Sequence, residues 1–201
     1  MKKTFLFSIF FFILFNSHSF GELSFVQTKD VTSDTPGVRG INFKPDGKIM
    51  YITSRLGNEN AFVVQYSLST PFDISTATRS FNDGDGTQLT CSTNMKLPHA
   101  IEFKPDGTKM FVATNKDFSG NPGVAIFQFR LNTAWDSSTL VCEKIYEVTE
   151  TGVYVENQLR TLAFKPDGTR MFVGGKNTDK IRQFDLSNAW DLRSGSQIPS
   201  I

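Results

Sequence analysis

The sequence is poor in the side chains from which most catalytic and metal sites are built. Its 201 residues include two histidines and two cysteines. They have no spacing typical of a zinc site, and the chain contains no G-x-S-x-G, H-E-x-x-H or P-loop motif. These absences remove the common sequence signatures of serine hydrolases, zinc peptidases and nucleotide-binding proteins, and we expect no cofactor.

Net charge is also nearly absent. The chain has 21 basic and 20 acidic side chains, for a formal net charge of +1. A balance this close to neutral lacks the basic patch that nucleic acid or anionic lipid would attract, so we expect neither partner. It also gives little electrostatic repulsion against self-association.

Long hydrophobic runs are absent beyond the N-terminus. Lys2 and Lys3 precede an apolar run, Phe5–Phe15, and small residues follow it. This layout is typical of a secretory signal peptide, which we place at residues 1–20. The run is well short of the roughly twenty residues that span a bilayer, although an uncleaved anchor is the alternative. We therefore expect a secreted or periplasmic protein with no membrane span after cleavage.

An exported chain can use its two cysteines in a disulfide. A bond between Cys91 and Cys142 would close a loop of about fifty residues, worth roughly 4 kcal/mol in the chain-entropy model. The alternative is two free thiols. The sequence alone leaves the choice open.

What the sequence has in abundance is repetition. The stretch FKPDGTKMFV at Phe103–Val112 recurs as FKPDGTRMFV at Phe164–Val173 and, more loosely, as FKPDGKIMYI at Phe43–Ile52. The three copies start 60 and 61 residues apart. Each is followed by a second shared block, VVQYSLSTPFD, IFQFRLNTAWD or IRQFDLSNAWD. Self-similarity at a fixed period indicates a repeat architecture.

Each copy predicts four antiparallel strands. Alternating apolar residues before Lys-Pro-Asp-Gly indicate a first strand, and Pro, Asp and Gly suit a tight hairpin turn. The apolar runs after the turn indicate a second strand buried on both faces. An aromatic third strand and a polar fourth strand complete a β-propeller blade. We predict blades at residues 37–96, 97–157 and 158–201, with residues 21–36 as an outer strand of a neighbouring or closing blade.

The combination of FKPDGTKMFV with LSNAWD also resembles a known group of proteins. It is similar to bacterial β-propeller repeats with a Pro-Asp-Gly turn, such as the YVTN-type and Tol-type periplasmic propellers, over about residues 37–195. The resemblance implies an all-β propeller fold and no particular reaction. The repeats here are nearer sixty residues than the usual fifty or so, and the excess lies in the connections of the first two blades.

Three blades are fewer than the four to eight of a closed propeller. The chain is therefore predicted to be a partial propeller cut from a longer one, or half of a ring that a second copy completes as a homo-oligomer. A stable three-bladed arc is the third alternative.

Arg39, His99 and Arg160 each stand four residues before the repeated phenylalanine. Because first strands line the central channel, we expect these side chains near one mouth of it, where they could hold an anion. Alternatively, they are buried, hydrogen-bonded supports of the strand starts. A third possibility is lactone hydrolysis, since LPHAIEFKPDG resembles the Pro-His stretch of seven-bladed lactonases of the phosphogluconolactonase type.

Two further motifs could carry a ligand. Asp83 and Asp85 in NDGDGT resemble the opening of a calcium loop, but Asn94 stands where a bidentate Glu is wanted, and a solvated turn is the alternative. Trp135 and Trp190 could be sugar platforms. Their fixed place in the repeat favours packing instead.

Taken together, the residues favour a non-catalytic binding or protein-interaction module on an exported propeller over an enzyme. Its ligand would be a protein partner or a small anion. The connections at residues 54–60 and 115–123 differ most between copies, which suits a binding surface. The alternative is a periplasmic lactonase-like hydrolase.

Overall fold

The structure is a computed structural model that describes residues 24–35, 37–56, 60–81, 86–91, 95–116, 124–150, 153–154, 158–176 and 178–197. The predicted signal peptide lies outside this part. The strands, in chain order, are β1 (Gly40–Phe43), β2 (Ile49–Leu56), β3 (Asn60–Leu68), β4 (Ala77–Arg79), β5 (Thr87–Gln88), β6 (Lys96–Phe103), β7 (Lys109–Lys116), β8 (Ala125–Leu131), β9 (Leu140–Glu147), β10 (Thr149–Glu150), β11 (Val153–Tyr154), β12 (Leu159–Phe164), β13 (Arg170–Gly175), β14 (Ile181–Leu186) and β15 (Gly195–Gln197). Short 3-10 turns occur at Ile74–Thr76, Ser137–Thr139 and Leu192–Ser194. Within the described ranges, no helix has the length and apolarity needed to cross a bilayer.

The strands form three antiparallel sheets with the same order. They run β1-β2-β3-β4, β6-β7-β8-β9 and β12-β13-β14-β15, and β5 adds to β3 in the first sheet. β10 and β11 form a separate two-stranded pair. The predicted fold class is confirmed: the chain is an all-β arc of three four-stranded propeller blades, called blades 1, 2 and 3 below.

The Pro-Asp-Gly turn between the first two strands of each blade owes its residues to backbone geometry. In blade 2, the Gly107 amide donates to the Lys104 carbonyl at 2.8 Å, and Gly107 has a φ of +73°, which glycine adopts at low cost. The Asp106 carboxylate accepts from the Thr108 amide at 3.0 Å. The repeated aspartate therefore stabilises the turn.

The aromatic residue before the second repeated aspartate covers this turn. Trp135 donates its backbone amide to the Gly107 carbonyl at 3.0 Å, and a Cβ on Gly107 would lie 2.3 Å from its indole ring. Trp190 and Phe72 contact Gly168 and Gly47 in the same way, and all three aromatics have a positive φ near 60°. The two tryptophans are thus packing elements.

Neighbouring blades pack through a repeated pair of faces. The leading face of a blade carries the aromatic residue of its second strand, namely Tyr51, Phe111 or Phe172. The trailing face carries the phenylalanine before the turn, namely Phe43, Phe103 or Phe164. Tyr51 of blade 1 lies 4.3 Å from Phe103 of blade 2, and Phe111 of blade 2 lies 4.6 Å from Phe164 of blade 3, between ring centroids.

A buried hydrogen bond accompanies each of these ring contacts. The Gln65 side-chain oxygen in blade 1 accepts from the Ser137 amide in blade 2 at 2.9 Å. Gln128 in blade 2 accepts from the Leu192 amide in blade 3 at 2.7 Å. The glutamine in the third strand of blades 1 and 2 therefore helps to fix the position of the next blade, because a buried amide left unpaired would be costly.

Residues 24–35 contain no strand in the structure, and their role as an outer strand of a neighbouring or closing blade stays a prediction. They lie against the trailing face of blade 1. Val31 packs on its core, Gln27 donates to the Asp73 carboxylate at 2.7 Å, and Tyr66 donates to the Asp34 carboxylate at 2.9 Å.

Cys91 and Cys142 form a disulfide with their Cα atoms 5.4 Å apart. Cys91 follows β5 of blade 1, and Cys142 lies on β9, the outermost strand of blade 2. The bond therefore joins two blades near their outer edges.

Candidate functional site

The three residues singled out before the repeated phenylalanines come together at one end of the first strands. Arg39, His99 and Arg160 line a single open pocket with Gly37 and Val38, and its volume is about 370 Å³. Each comes from a different blade. The pocket lies at the end of the sheets opposite to the Pro-Asp-Gly turns, because the residues precede or begin the strands that lead into those turns.

Local irregularities in two first strands direct these side chains. The pairing of β12 with β13 shifts between Leu159 and Thr161, which makes Arg160 the extra residue of a bulge. The pairing of β6 with β7 shifts between Pro98 and Ile101, and His99 lies inside that shift. Bulges redirect a side chain from the regular alternation of a strand, and they are frequent beside functional sites.

Close backbone packing holds blade 1 against His99. The Thr53 hydroxyl donates to the His99 carbonyl at 3.1 Å. A Cβ on Gly40 would lie 2.0 Å from that carbonyl oxygen, so only a residue without a side chain fits there. Arg39, directly before Gly40, donates its backbone amide to the Thr53 carbonyl at 3.0 Å. These contacts place Arg39 next to His99.

Arg160 contacts the imidazole of His99 directly. Its Nη1 atom lies 3.3 Å from Nδ1 and 3.2 Å from Nε2 of the ring, and its Nη2 atom donates to the Gln158 side-chain oxygen at 2.8 Å. A guanidinium can only donate hydrogen bonds, so the contact favours a neutral imidazole with one unprotonated nitrogen.

The pocket concentrates positive charge. Burial and, after it, the positive charges of Arg160, Arg39 and Arg55 together lower the pKa of His99 from its ordinary 6.5 to about 4. Burial also lowers the pKa of Arg39, and the charges of Arg55 and Arg160 add to this effect. The described lining residues include no carboxylate. The site is therefore suited to an anion, which would relieve the repulsion among the cations.

The lowered pKa of His99 predicts that the protein loses stability in acid. Its folded-state pKa lies below the ordinary value of 6.5, so the stability that neutral His99 contributes is present above pH 6.5 and is lost as the pH falls towards 4. The loss approaches about 1.4 kcal/mol per pH unit at most. Urea unfolding at pH 7.5, 6, 5 and 4.5 should show a smaller decline for His99→Gln than for the unchanged chain.

The chain offers a clean control for this experiment. Without residues 1–20, His99 is the sole histidine, so its ring protons can be followed individually by NMR. An imidazole that titrates near 6.5 in the folded protein, or a variant with the same acid profile as the parent, would contradict the prediction.

Sequence reasoning missed two residues near this region. Arg55 lies on β2 inside one of the variable connections, so no repeat position drew attention to it. Glu102 lies on β6, and burial raises the pKa of its carboxyl, while a hydrogen bond from Asn42 at 3.4 Å acts in the opposite direction. A comparison of GINF, AIEF and TLAF could have found it, because Glu102 is the acidic member of that repeat position.

The possible calcium ligands Asp83 and Asp85 lie outside the described residues, and that site stays a prediction. The part of the chain that the structure describes holds no group of three or more His, Cys, Asp or Glu placed to bind a metal ion.

Comparison with known proteins supports the fold. No protein-family model and no curated protein match the chain. Among solved structures, it is similar to a candidate 6-phosphogluconolactonase from Bacteroides uniformis ATCC 8492, with 15% identity and a TM-score of 0.51, over 80% of this chain and 39% of that one. A candidate 6-phosphogluconolactonase from Bacteroides fragilis NCTC 9343 gives 17% identity and a TM-score of 0.50, over 81% of this chain and 39% of that one.

The chain spans about two fifths of the length of either structure, at 39%. Both are lactonase-like β-propellers. At this level of identity, the similarity establishes the propeller fold of the arc.

Proposed function

We propose that the protein is a non-catalytic binding module that holds an anionic group of its ligand between Arg39, His99 and Arg160. The observation that supports this function most directly is the convergence of the three side chains, each from a different blade, on one open pocket. Because each blade contributes one group, the spacing of the cations is set by the rigid inter-blade packing.

The chemistry of the pocket favours a compact oxyanion, namely a carboxylate or a phosphate group. Arginine presents paired donors that match two oxygens of such a group, and hydrogen bonds to charged acceptors are about twice as strong as neutral ones. The rest of the ligand would extend outwards into solvent, because the pocket is open.

Anion binding should depend on the two arginines individually. Arg160→Gln or Arg39→Gln removes charge-assisted donors worth about 1.5–3 kcal/mol, so we expect the dissociation constant for sulfate to rise about tenfold or more. Sulfate is a suitable probe since it does not titrate near neutral pH. Binding is measured by following backbone amide resonances in an NMR titration.

Lys144→Gln provides a matched control, because it removes the same charge from an exposed site on β9. It should leave sulfate affinity unchanged. Equal weakening by all three substitutions would mean a general effect of net charge, and the proposed site would be rejected.

Lactone hydrolysis is the second candidate function. It is favoured by the similarity to two candidate 6-phosphogluconolactonases and by the presence of a histidine beside two arginines in the pocket. In this role, neutral His99 would act as the general base that activates water, and an arginine would stabilise the oxyanion.

The lowered pKa of His99 makes lactone hydrolysis the less favoured of the two functions. A general base works best with a pKa near the working pH, and the pKa of His99 is lowered to about 4. Hydrolysis of δ-gluconolactone and its 6-phosphate, followed as acid release at constant pH, separates the two functions. Turnover that His99→Gln abolishes while sulfate binding persists would favour the hydrolase.

An exported location fits either function. Disulfides persist in oxidising compartments such as the periplasm or the cell exterior, and the chain carries one between Cys91 and Cys142.

A further inference from the structure

The inter-blade interface occurs twice inside the chain, and within the described residues each of its two faces also occurs once without a partner. Blade 3 presents an uncovered leading face. Its Ile181 is 83% exposed, whereas the equivalent Val63 and Ile126 are fully buried against the next blade. Within the described residues, Phe172 has no aromatic partner and Gln183 accepts no inter-blade amide, although both positions make these contacts in blades 1 and 2.

Blade 1 presents the complementary trailing face, and the inner part of that face is uncovered. Ile41 and Phe72 are 55% and 59% exposed, whereas Ile101 in the same repeat position of blade 2 is 3% exposed. The ring centroids of Phe43 and Phe72 lie 5.6 Å apart, and the equivalent phenylalanine and tryptophan rings lie 5.4 Å apart in blade 2 and 4.8 Å apart in blade 3. In the described part of the chain, no ring from a preceding blade contacts this pair.

The outer part of the trailing face of blade 1 is already covered, as it is at the interface between blades 1 and 2. Between blades 1 and 2, the linking segment buries Leu89 and Met95 in the shared core. Residues 24–35 occupy the corresponding place on blade 1, where Val31 packs on the core and Gln27 bonds to Asp73. They leave uncovered the inner patch that a leading-face aromatic contacts in the other two interfaces.

We propose that the leading face of blade 3 packs on the trailing face of blade 1 of a second copy, so that two copies close a six-bladed ring. Phe172 would lie on Phe43 and Phe72 of the other copy, as Phe111 lies 4.6 Å from Phe164 and 6.1 Å from Trp190. Gln183 would accept from the Ile74 amide, in the manner of Gln65 with Ser137.

The second copy is the occupant that the contacts specify. A partner must supply a pair of aromatic rings, a backbone amide that can donate to Gln183 and a surface shaped like a trailing face. Blade 1 carries all three, with Phe43 and Phe72 as the rings and Ile74 as the amide donor. Six blades lie within the range in which propellers close. Burial of exposed Ile181, Ile41 and Phe72 favours association, and a net charge near zero does not oppose it.

Ring closure would also complete the surroundings of the pocket. Two sets of Arg39, His99 and Arg160 would face one channel from opposite sides, so a ligand with two anionic groups could bind both sets. Assembly through these faces does not require that the pocket binds an anion, and each can fail without the other.

Sedimentation velocity of the chain without its predicted signal peptide tests the assembly. We expect a species of twice the protomer mass. Ile181→Asp should convert it to monomer with an unchanged circular dichroism spectrum, because the side chain is exposed within the protomer. Val141→Asp on the outermost strand of blade 2 is the control, since Val141 is also exposed, at 40%, but lies outside both faces; it should remain dimeric.

Mixing two variants tests the head-to-tail arrangement. Ile181→Asp and Phe72→Asp should each be monomeric, whereas an equimolar mixture should recover dimers, because one leading face and one trailing face remain intact in each mixed pair. A folded monomeric parent would overturn the proposal. A dimer that Ile181→Asp leaves intact, or a mixture without recovery, would do the same.

Discussion

Replacing Gly107 with alanine is expected to lower the free energy of unfolding by about 3 kcal/mol or more and the melting temperature by roughly 10 °C. Gly107 has a φ of +73°, a region that costs an alanine about 1–2 kcal/mol. The new Cβ would also lie 2.3 Å from the Trp135 indole, so the ring must move. Displacing Trp135 disturbs Phe103, whose ring centroid is 5.4 Å away in the interface with blade 1.

Gly37→Ala is the matched control for this prediction. A Cβ on Gly37 meets no atom within 4 Å, so the substitution should change the melting temperature little. Thermal unfolding followed by circular dichroism compares the two variants. If Gly107→Ala melted with the parent, the turn and its aromatic cover would not form the rigid unit described above. Trp135→Phe, which keeps an aromatic ring over Gly107, should be milder than the glycine substitution.

The blade itself could be predicted from sequence because its signals are local and occur three times. Apolar alternation, the Pro-Asp-Gly turn and the aromatic before the second aspartate each depend on neighbouring residues, and their repetition removes the ambiguity of any one copy. The conjunction of Arg39, His99 and Arg160 was also predictable, since equal offsets from a repeated phenylalanine place residues at equal depth in successive blades.

Other features depend on packing that the repeat does not encode. The N-terminal residues 24–35 resemble a strand in sequence, but a strand needs a neighbour with which to pair. The bulges at His99 and Arg160 follow from strand register, for which the sequence carries no signal. The lowered pKa of His99 depends on how deeply its ring is buried and on Arg55 from a variable connection. Neither can be read from the sequence, because both follow from the three-dimensional packing.

Removing the disulfide is expected to have an effect as large as that of Gly107→Ala. Cys91 and Cys142 are 51 residues apart, and closing a loop of that length restricts the unfolded chain by about 4 kcal/mol in the chain-entropy model. The folded arc should survive, because blades 1 and 2 still share the Tyr51–Phe103 contact and the Gln65–Ser137 hydrogen bond. We therefore expect Cys91→Ala/Cys142→Ala to fold but to melt roughly 10 °C lower.

The effect of a reductant separates loss of the bond from damage to packing. Dithiothreitol should lower the melting temperature of the parent to nearly that of the double variant, and it should leave the double variant unchanged. Thiol titration of the unfolded parent under non-reducing conditions should find no free cysteine. Two free thiols, or a parent whose stability does not respond to reduction, would show that the blades are held together by their faces alone. In that case, the aromatic ring contacts and the glutamine hydrogen bonds between blades would have to account for the whole of the inter-blade stability. The same would hold for the proposed contact between copies.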